Sequence, residues 1–402
     1  MQADPQPYRW ALLAGVWLVY TCFGMAVYST APLVGPITRE LGMSLGAMGA
    51  VMGAWPLVYI VMAVPAGALL DRIGVRPSLA IATAIIAISL ALRAAATGFP
   101  MLFMAVALFG VGGPLVSVGA PKLIASWFEG KERGLAVGIY STGPTLGAVT
   151  VLSLTNSVLM PATDQNWRLT LLFFASVTAL AGVIWFAIAS HAAARTREIA
   201  GRGSLREQFA VFAKLLALWP VRIVLLIAVG VFMFNHAFNN WLPEILIATG
   251  MDAVGAGFWA SIPSLIGAGA SLLLPRYAVA GRRIPMLVGA ILLGAAAAVL
   301  IALSDGAWLA LGLGLQGIAR GSMIPITMLT LMATKQVDSK VMGAAGGLFF
   351  AAAETGGVMG PLATGWLADA TGGFEAALLT LFLVCLVCAS LALWLQRVVE
   401  AR

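Results

Sequence analysis

Apolar runs of about 20 residues, separated by short polar turns, fill this chain almost from end to end, and a helix of that length spans the hydrocarbon core of a bilayer. The composition agrees: 61% of the residues are hydrophobic and 10% are charged, where soluble domains carry about 25% charged residues. A water-exposed surface cannot be assembled from that. At 402 residues the chain has the length of two or three soluble domains, but its units are set by membrane thickness instead. The first run, after ten mostly polar residues, is too long for a signal peptide and lacks a small-residue cleavage site, so it reads as a span. Cys22, Cys385 and Cys388 all lie in apolar runs. The Cys385-x-x-Cys388 pair has no second pair to complete a metal site and reads as core packing.

The runs predict spans near 11–35, 47–70, 78–97, 101–127, 134–160, 169–190, 223–243, 253–275, 284–303, 307–333, 341–368 and 376–396. Twelve spans put both termini on one side. With that side cytoplasmic, 19 of the 23 Lys and Arg residues fall in or beside inner segments, two (Arg39 and Arg168) lie outside, and two (Arg93 and Arg320) lie within spans. The positive-inside rule therefore predicts cytoplasmic N- and C-termini and a multi-pass protein of the inner (plasma) membrane. The net charge of +7 is dispersed over seven inner segments rather than gathered on one face, which excludes a nucleic-acid partner.

The longest polar stretch, 191–222, holds Arg195, Arg197, Arg202, Arg206, Lys214 and Arg222 and divides the chain into 1–190 and 223–402. Ser204 and Glu207 in it form a capping-box pattern, followed by Phe209, Phe212, Leu216 and Trp219 at helical spacing, which predicts an interfacial helix over 204–218. The two parts also resemble each other at an offset of 204: Gly53 and Trp55 fall on Gly257 and Trp259, Arg72 on Arg276, Gly110 and Gly113 on Gly314 and Gly317, and Pro121 on Pro325. The predicted architecture is therefore an all-α integral membrane protein of 12 transmembrane helices in two pseudo-symmetric six-helix bundles.

Between the second and third spans stands Gly67-Ala-Leu-Leu-Asp71-Arg72-Ile-Gly74-Val-Arg76. Here Gly67 permits close helix contact, Gly74 a tight turn, and Asp71 can cap a helix or pair with a base. The stretch resembles the signature loop of the major facilitator superfamily, with Val75 in place of a second basic residue. The resemblance implies a conformational latch made of Gly67, Asp71, Arg72, Gly74 and Arg76, which holds the two halves together at the cytoplasmic face in the outward-facing state. The corresponding loop Pro275–Arg283 lacks the acid, so the latch is expected to be stronger in the first copy. The fifth span carries Gly138-Ile-Tyr-Ser-Thr-Gly143-Pro144-Thr-Leu-Gly147, similar to the Gly-Pro motif of proton-coupled antiporters in the family; plain close packing of Gly-rich helices is the favoured account of it. Pro121–Phe128, followed by Glu132-Arg133-Gly134, is loosely similar to the cyanate and nitrate/nitrite branches.

Four charged residues fall inside predicted spans: Arg93, Lys122, Arg320 and Glu354. Arg93 and Lys122 stand near span ends, where their heads can snorkel to water. Arg320 is about 14 residues into its span, roughly 20 Å deep at 1.5 Å per residue, and Glu354 shares that depth on the next span. A charge at mid-depth persists where it faces a cavity or a partner. Two readings stand: a static Arg320–Glu354 ion pair, or Arg320 as an anion-binding residue with Glu354 as its partner and proton site. Gln316 is a turn from Arg320. Asn235, His236, Asn239 and Asn240 make the seventh span wet, and His236 is a second proton-coupling candidate. Tyr28 on the first span, Trp55 and Tyr59 on the second, and Trp259 as repeat mate of Trp55 complete the candidate substrate-binding set.

No phosphate-cradling loop, metal-ligand cluster or catalytic arrangement stands out, so neither an enzyme nor a cofactor is expected. The expected function is secondary transport of a small anionic or polar solute by alternating access, by a monomer. The alternatives are a proton-coupled exporter of amphipathic compounds, which the Gly-Pro stretch favours, and a non-transporting membrane receptor on the same scaffold.

Overall fold

The computed structural model describes residues 8–192, 212–303, 306–334, 337 and 342–400. Among them there is no strand, and twelve helices of 20 or more residues carry the fold. These are α1 (Tyr8–Tyr28), α2 (Leu45–Ile73), α3 (Val75–Ala94), α4 (Phe99–Trp127), α5 (Gly130–Leu154), α6 (Trp167–Ser190), α7 (Trp219–Ala248), α8 (Ala253–Leu273), α9 (Arg283–Leu303), α10 (Gly306–Met332), α11 (Met342–Thr371) and α12 (Glu375–Glu400). Eleven spans in the described residues are long and apolar enough to cross a membrane. The remaining long helix, α11, is rich in Gly and Ala and packs against α7 and α2. The chain is a multi-pass membrane protein.

Most predicted spans recur with ends shifted by a few residues, and the first differs in kind. A single helix was expected over 11–35, but α1 stops at Tyr28; a one-turn helix Ala31–Leu33 with Pro32 follows, then a short helix Val34–Leu41. Pro32 has no N–H to continue the ladder. At the end of the molecule away from the termini, side chains cap the helix starts. Ser44 Oγ accepts from Ala47 N at 3.2 Å, Asn166 Oδ1 from Arg168 N at 3.0 Å, and Asp252 Oδ2 from Val254 N at 3.1 Å. Each satisfies an N–H that a helix cannot use itself. The predicted 204–218 helix lies outside the described residues except for 212–218, of which 212–217 are helical.

The first six helices pack on one another, α1 on α5, α2 on α4, and α3 on α4 and α6. So do the last six, α7 on α11, α8 on α10, and α9 on α10 and α12. Between the two sets, α2 lies along α11 and α5 along α8. Glycines set these distances. A Cβ on Gly143 would stand 2.9 Å from the Trp17 carbonyl oxygen of α1, and one on Gly321 only 2.8 Å from the Cα of Gly267 in α8. Small residues let backbones meet where apolar lipid supplies no hydrophobic drive for helix association. α6 turns Phe173, Leu180, Val183 and Phe186 outward, the apolar coat expected against lipid, whereas α7 is the most enclosed of the eleven spans.

The two sets meet unevenly along their length. Gly257 at the start of α8 abuts the Leu152 carbonyl near the end of α5, and Asn156 Nδ2 donates to the Ala253 carbonyl at 3.2 Å. Asp369 of α11 accepts from Leu45 N at 2.9 Å and Gly46 N at 2.7 Å of α2. These ties lie at the end away from the termini. Toward the terminal end, Gly134 and Gly138 of α5 have open space beside them, and Leu135 and Val137 of α5 and Leu272 and Leu273 of α8 are exposed.

Candidate functional site

A cavity of about 260 Å³ lies at mid-depth between the two sets of helices, lined by Thr145 of α5, Asn235, His236 and Asn239 of α7, Ser264 and Ser271 of α8, and Arg320 of α10. Arg320 is the fifteenth residue of a 27-residue helix, so it sits at the middle of a span long and apolar enough to cross a membrane. Its Nη1 donates to Ser264 Oγ at 2.8 Å, and its Nη2 donates to the Tyr28 hydroxyl. The Tyr28 ring centroid is 5.6 Å from the guanidinium carbon. Among the described residues no carboxylate lies within ion-pair distance of it. A cation that has only neutral partners among the described residues and faces a cavity has the donors and the charge to meet an anion.

Gln316 is buried one turn away and faces, with Asn239, Tyr28 and Arg320, a second void of about 10 Å³, room for one water. Asn235 Nδ2 donates to the Val231 carbonyl at 2.8 Å, which leaves its Oδ1 without a donor. Asn239 Oδ1 and Gln316 Oε1 are likewise unpartnered and buried. Buried polar atoms without partners are rare enough to call for water or a ligand.

Glu354 is not the partner of Arg320. It is 5% exposed on α11, with Oε2 3.7 Å from Nε2 of His236, beyond hydrogen-bond length. His236 is held between two rings, Trp55 of α2 at 5.3 Å and Phe232 at 5.7 Å, both near parallel to it. Trp55 also meets Tyr59 and Phe109 edge-on, and Tyr59 shares a 2.8 Å hydrogen bond with Ser117. The predicted set therefore divides in three. Arg320, Tyr28, Gln316, Asn235 and Asn239 surround the two voids; Glu354, Trp55 and Tyr59 form an adjoining buried cluster around His236, which also reaches the cavity wall; Trp259 stands apart, its ring against Phe258 and not on the cavity wall.

Asp71 and Arg76 of the latch make contacts within the first six helices. Asp71 pairs with Lys122 of α4, Arg76 Nη1 donates to the Ala189 carbonyl at 3.3 Å, and the Arg76 carbonyl accepts from Trp185 Nε1 at 3.1 Å. Gly74 takes φ +89° to close α2, and Gly67 has open space beside it. Arg72 is exposed. One snorkelling expectation fails here. Lys122 is part-exposed beside Asp71, but Arg93 is only 1% exposed, donating to the Ala26 carbonyl at 2.8 Å and Ser29 Oγ at 2.9 Å, over the Phe109 ring. In the Gly-Pro stretch, Gly143 and Gly147 seat α5 against α1, which is the packing reading.

Sequence reasoning missed Ser264, Ser271 and Thr145, since single hydroxyls in apolar helices are common and carry no depth signal. It also missed Asp369, whose position at the end of a span is unremarkable until the start of α2 is found beside it.

The profile of the Major Facilitator Superfamily matches residues 16–334. The chain belongs to that superfamily. Among its relatives are the uncharacterized transporter YycB of Bacillus subtilis, 27% identical over 90% of this chain and 87% of that one. The probable galactarate/D-glucarate transporter GudP of the same species is 24% identical over 92% and 88%. The hexuronate transporter of Bacillus subtilis is 23% identical over 85% and 84%. A crystal structure of a bacterial homolog to the human lysosomal transporter Spinster superposes with a TM-score of 0.77 at 16% identity, covering 98% of each chain, and shares the fold. These relatives are transporters, not enzymes.

Proposed function

We propose that this protein is a secondary active transporter that moves a small anionic solute across the inner (plasma) membrane by alternating access. In this reading the chain is a monomer with twelve spans and cytoplasmic termini, built from bundles 1–190 and 223–402 joined by the linker 191–222. The observation that carries it is Arg320, a mid-membrane cation on a cavity wall with neutral partners only. Relatives named for sugar acids support an anionic solute. With the termini inside, the ties at the far end and the open glycines at the terminal end correspond to an inward-facing state.

The adjoining His236–Glu354 pair is the site proposed for a co-transported proton. Two buried groups 3.7 Å apart cannot each change charge independently of the other. The other charged or titratable groups around them are Tyr59 of α2 and Arg320.

The test is uptake of labelled small anions into proteoliposomes, with and without an imposed pH gradient, for the native chain and Arg320→Gln. Saturable uptake that Arg320→Gln abolishes is expected. Equal uptake by both proteins would overturn the assignment of Arg320, and a gradient without effect would remove the proton from the proposal.

A further inference from the structure

We infer that the cavity selects a solute of one negative charge that also carries hydroxyl groups, a small hydroxylated monocarboxylate. This rests on the reading of the cavity as the solute site. Of the residues that line it, Arg320 alone bears a fixed positive charge. Its guanidinium has five N–H donors. Ser264 and Tyr28 each take one, which leaves enough of the planar fork for a single carboxylate. When His236 gains a proton, Glu354 stands beside it to meet the charge, so that pair brings no second net cation to the wall. A second carboxylate on the solute would face Asn235, Asn239, Thr145 and Ser271, which offer dipoles but no countercharge. Once both ends of the pathway are closed, water cannot compensate it either, and an unpaired buried ion is costly.

The neutral wall argues for hydroxyls on the rest of the solute. Ser271 on the cavity wall spends its own hydroxyl proton on the Ala268 carbonyl at 2.9 Å, so its Oγ faces the cavity as an acceptor. A solute hydroxyl donates to such an atom; a bare oxyanion such as nitrate has nothing to donate. The volume of about 260 Å³ lies just under the range of roughly 300–1,000 Å³ for drug-sized pockets, which keeps the solute small.

The test uses the purified full chain and three matched aldonate and aldarate pairs: glycerate with tartronate, threonate with tartrate, and gluconate with glucarate. Glucitol and nitrate serve as the uncharged and donor-free controls. Half-saturation is read from thermal shift in detergent at neutral pH. At least one aldonate is expected to bind about tenfold more tightly than its aldarate and than nitrate, with the shift lost in Arg320→Gln. Asn239→Lys, which adds a second cation to the wall, is expected to move the preference toward the aldarate. An aldarate or nitrate that binds as tightly as the aldonates, through Arg320, overturns the inference and leaves the anion site standing. Glucitol binding equally to native protein and Arg320→Gln overturns both, and so does silence from all three pairs.

Discussion

The second six helices bring Asn235, His236, Asn239, Ser264, Ser271 and Arg320 to the cavity, while the first six bring the single hydroxyl of Thr145, with Tyr28 on Arg320 at the smaller void and the ring of Trp55 behind His236. Two copies of one repeat have thus taken different chemistry. Trp55 and Trp259 occupy equivalent positions, yet Trp55 covers His236 across the interface and Trp259 lies beside Phe258 off the cavity wall. The acid of the latch loop is likewise kept in the first copy, at Asp71, and absent from Pro275–Arg283. On the function proposed above, the difference is a division of labour: the second half would hold the solute, and the first half would close over it and govern movement.

The sharpest way to break that comparison is to set Arg320→Gln beside Trp55→Ala. Removing a hydrogen-bonded charge that meets an ion typically costs about 2–5 kcal/mol. Solute affinity in Arg320→Gln should therefore fall on the order of 30-fold or more. Trp55→Ala removes a cover rather than a ligand, so affinity should change by no more than about threefold while the transport rate drops. Affinity and rate measured for both variants decide it. If Trp55→Ala weakens binding as much as Arg320→Gln, the first half is part of the binding site and the division is wrong.

A smaller effect concerns which groups in the second half act together. His236 and Glu354 are in contact, so their substitutions, His236→Gln and Glu354→Gln, should show a coupling energy of about 0.5–3 kcal/mol in a double-mutant cycle on thermal stability. Arg320 and Glu354 share no contact, and their effects should add to within about 0.5 kcal/mol. Strong coupling between Arg320 and Glu354 would restore the static ion pair.

That pair shows where sequence reasoning reaches its limit. The spans were legible because bilayer thickness imposes a length and a polarity on every one of them, and Arg320 could be placed at mid-depth by counting residues at a fixed rise. Depth does not give azimuth. Arg320 and Glu354 share a level, but α10 packs on α8 and α9 while α11 packs on α7 and α2, and α10 and α11 barely touch. The rotation of each helix follows from close contacts such as Gly321 on Gly267, which no single sequence announces. Arg93 was misread for the same reason. Its place near the span end was right, but its side chain turns inward to the Ala26 carbonyl of α1 and to Ser29 just beyond it.

The smallest expected effect compares the two ends of the α2–α11 pair. Asp369 lies two residues before the end of α11 and caps the first residues of α2, Leu45 and Gly46, from the other half. Asp71 lies two residues before the end of α2, at the opposite end of the molecule, and is occupied by Lys122 within its own half. One end is thus tied by a carboxylate at a helix N-terminus, where the unsatisfied N–H groups and the helix dipole both favour negative charge, and the other end is not. Asp369→Asn keeps a single acceptor and removes the charge, which should cost the tied state about 1 kcal/mol and raise the population open at that end roughly fivefold. Distances between spin labels at Gln165 and Glu375, exposed residues at the tied end of the two halves, would report it. Asp71→Asn should move the same distribution the other way, toward the tied state, because the Lys122 contact it loses lies within one half and the latch that the signature loop implies forms between the halves when the terminal end closes. If Asp369→Asn leaves the distribution unchanged, the cap is a local helix-start feature that does not bias the conformational balance. If Asp71→Asn opens the far end instead, the two acids do not work at opposite ends of one movement.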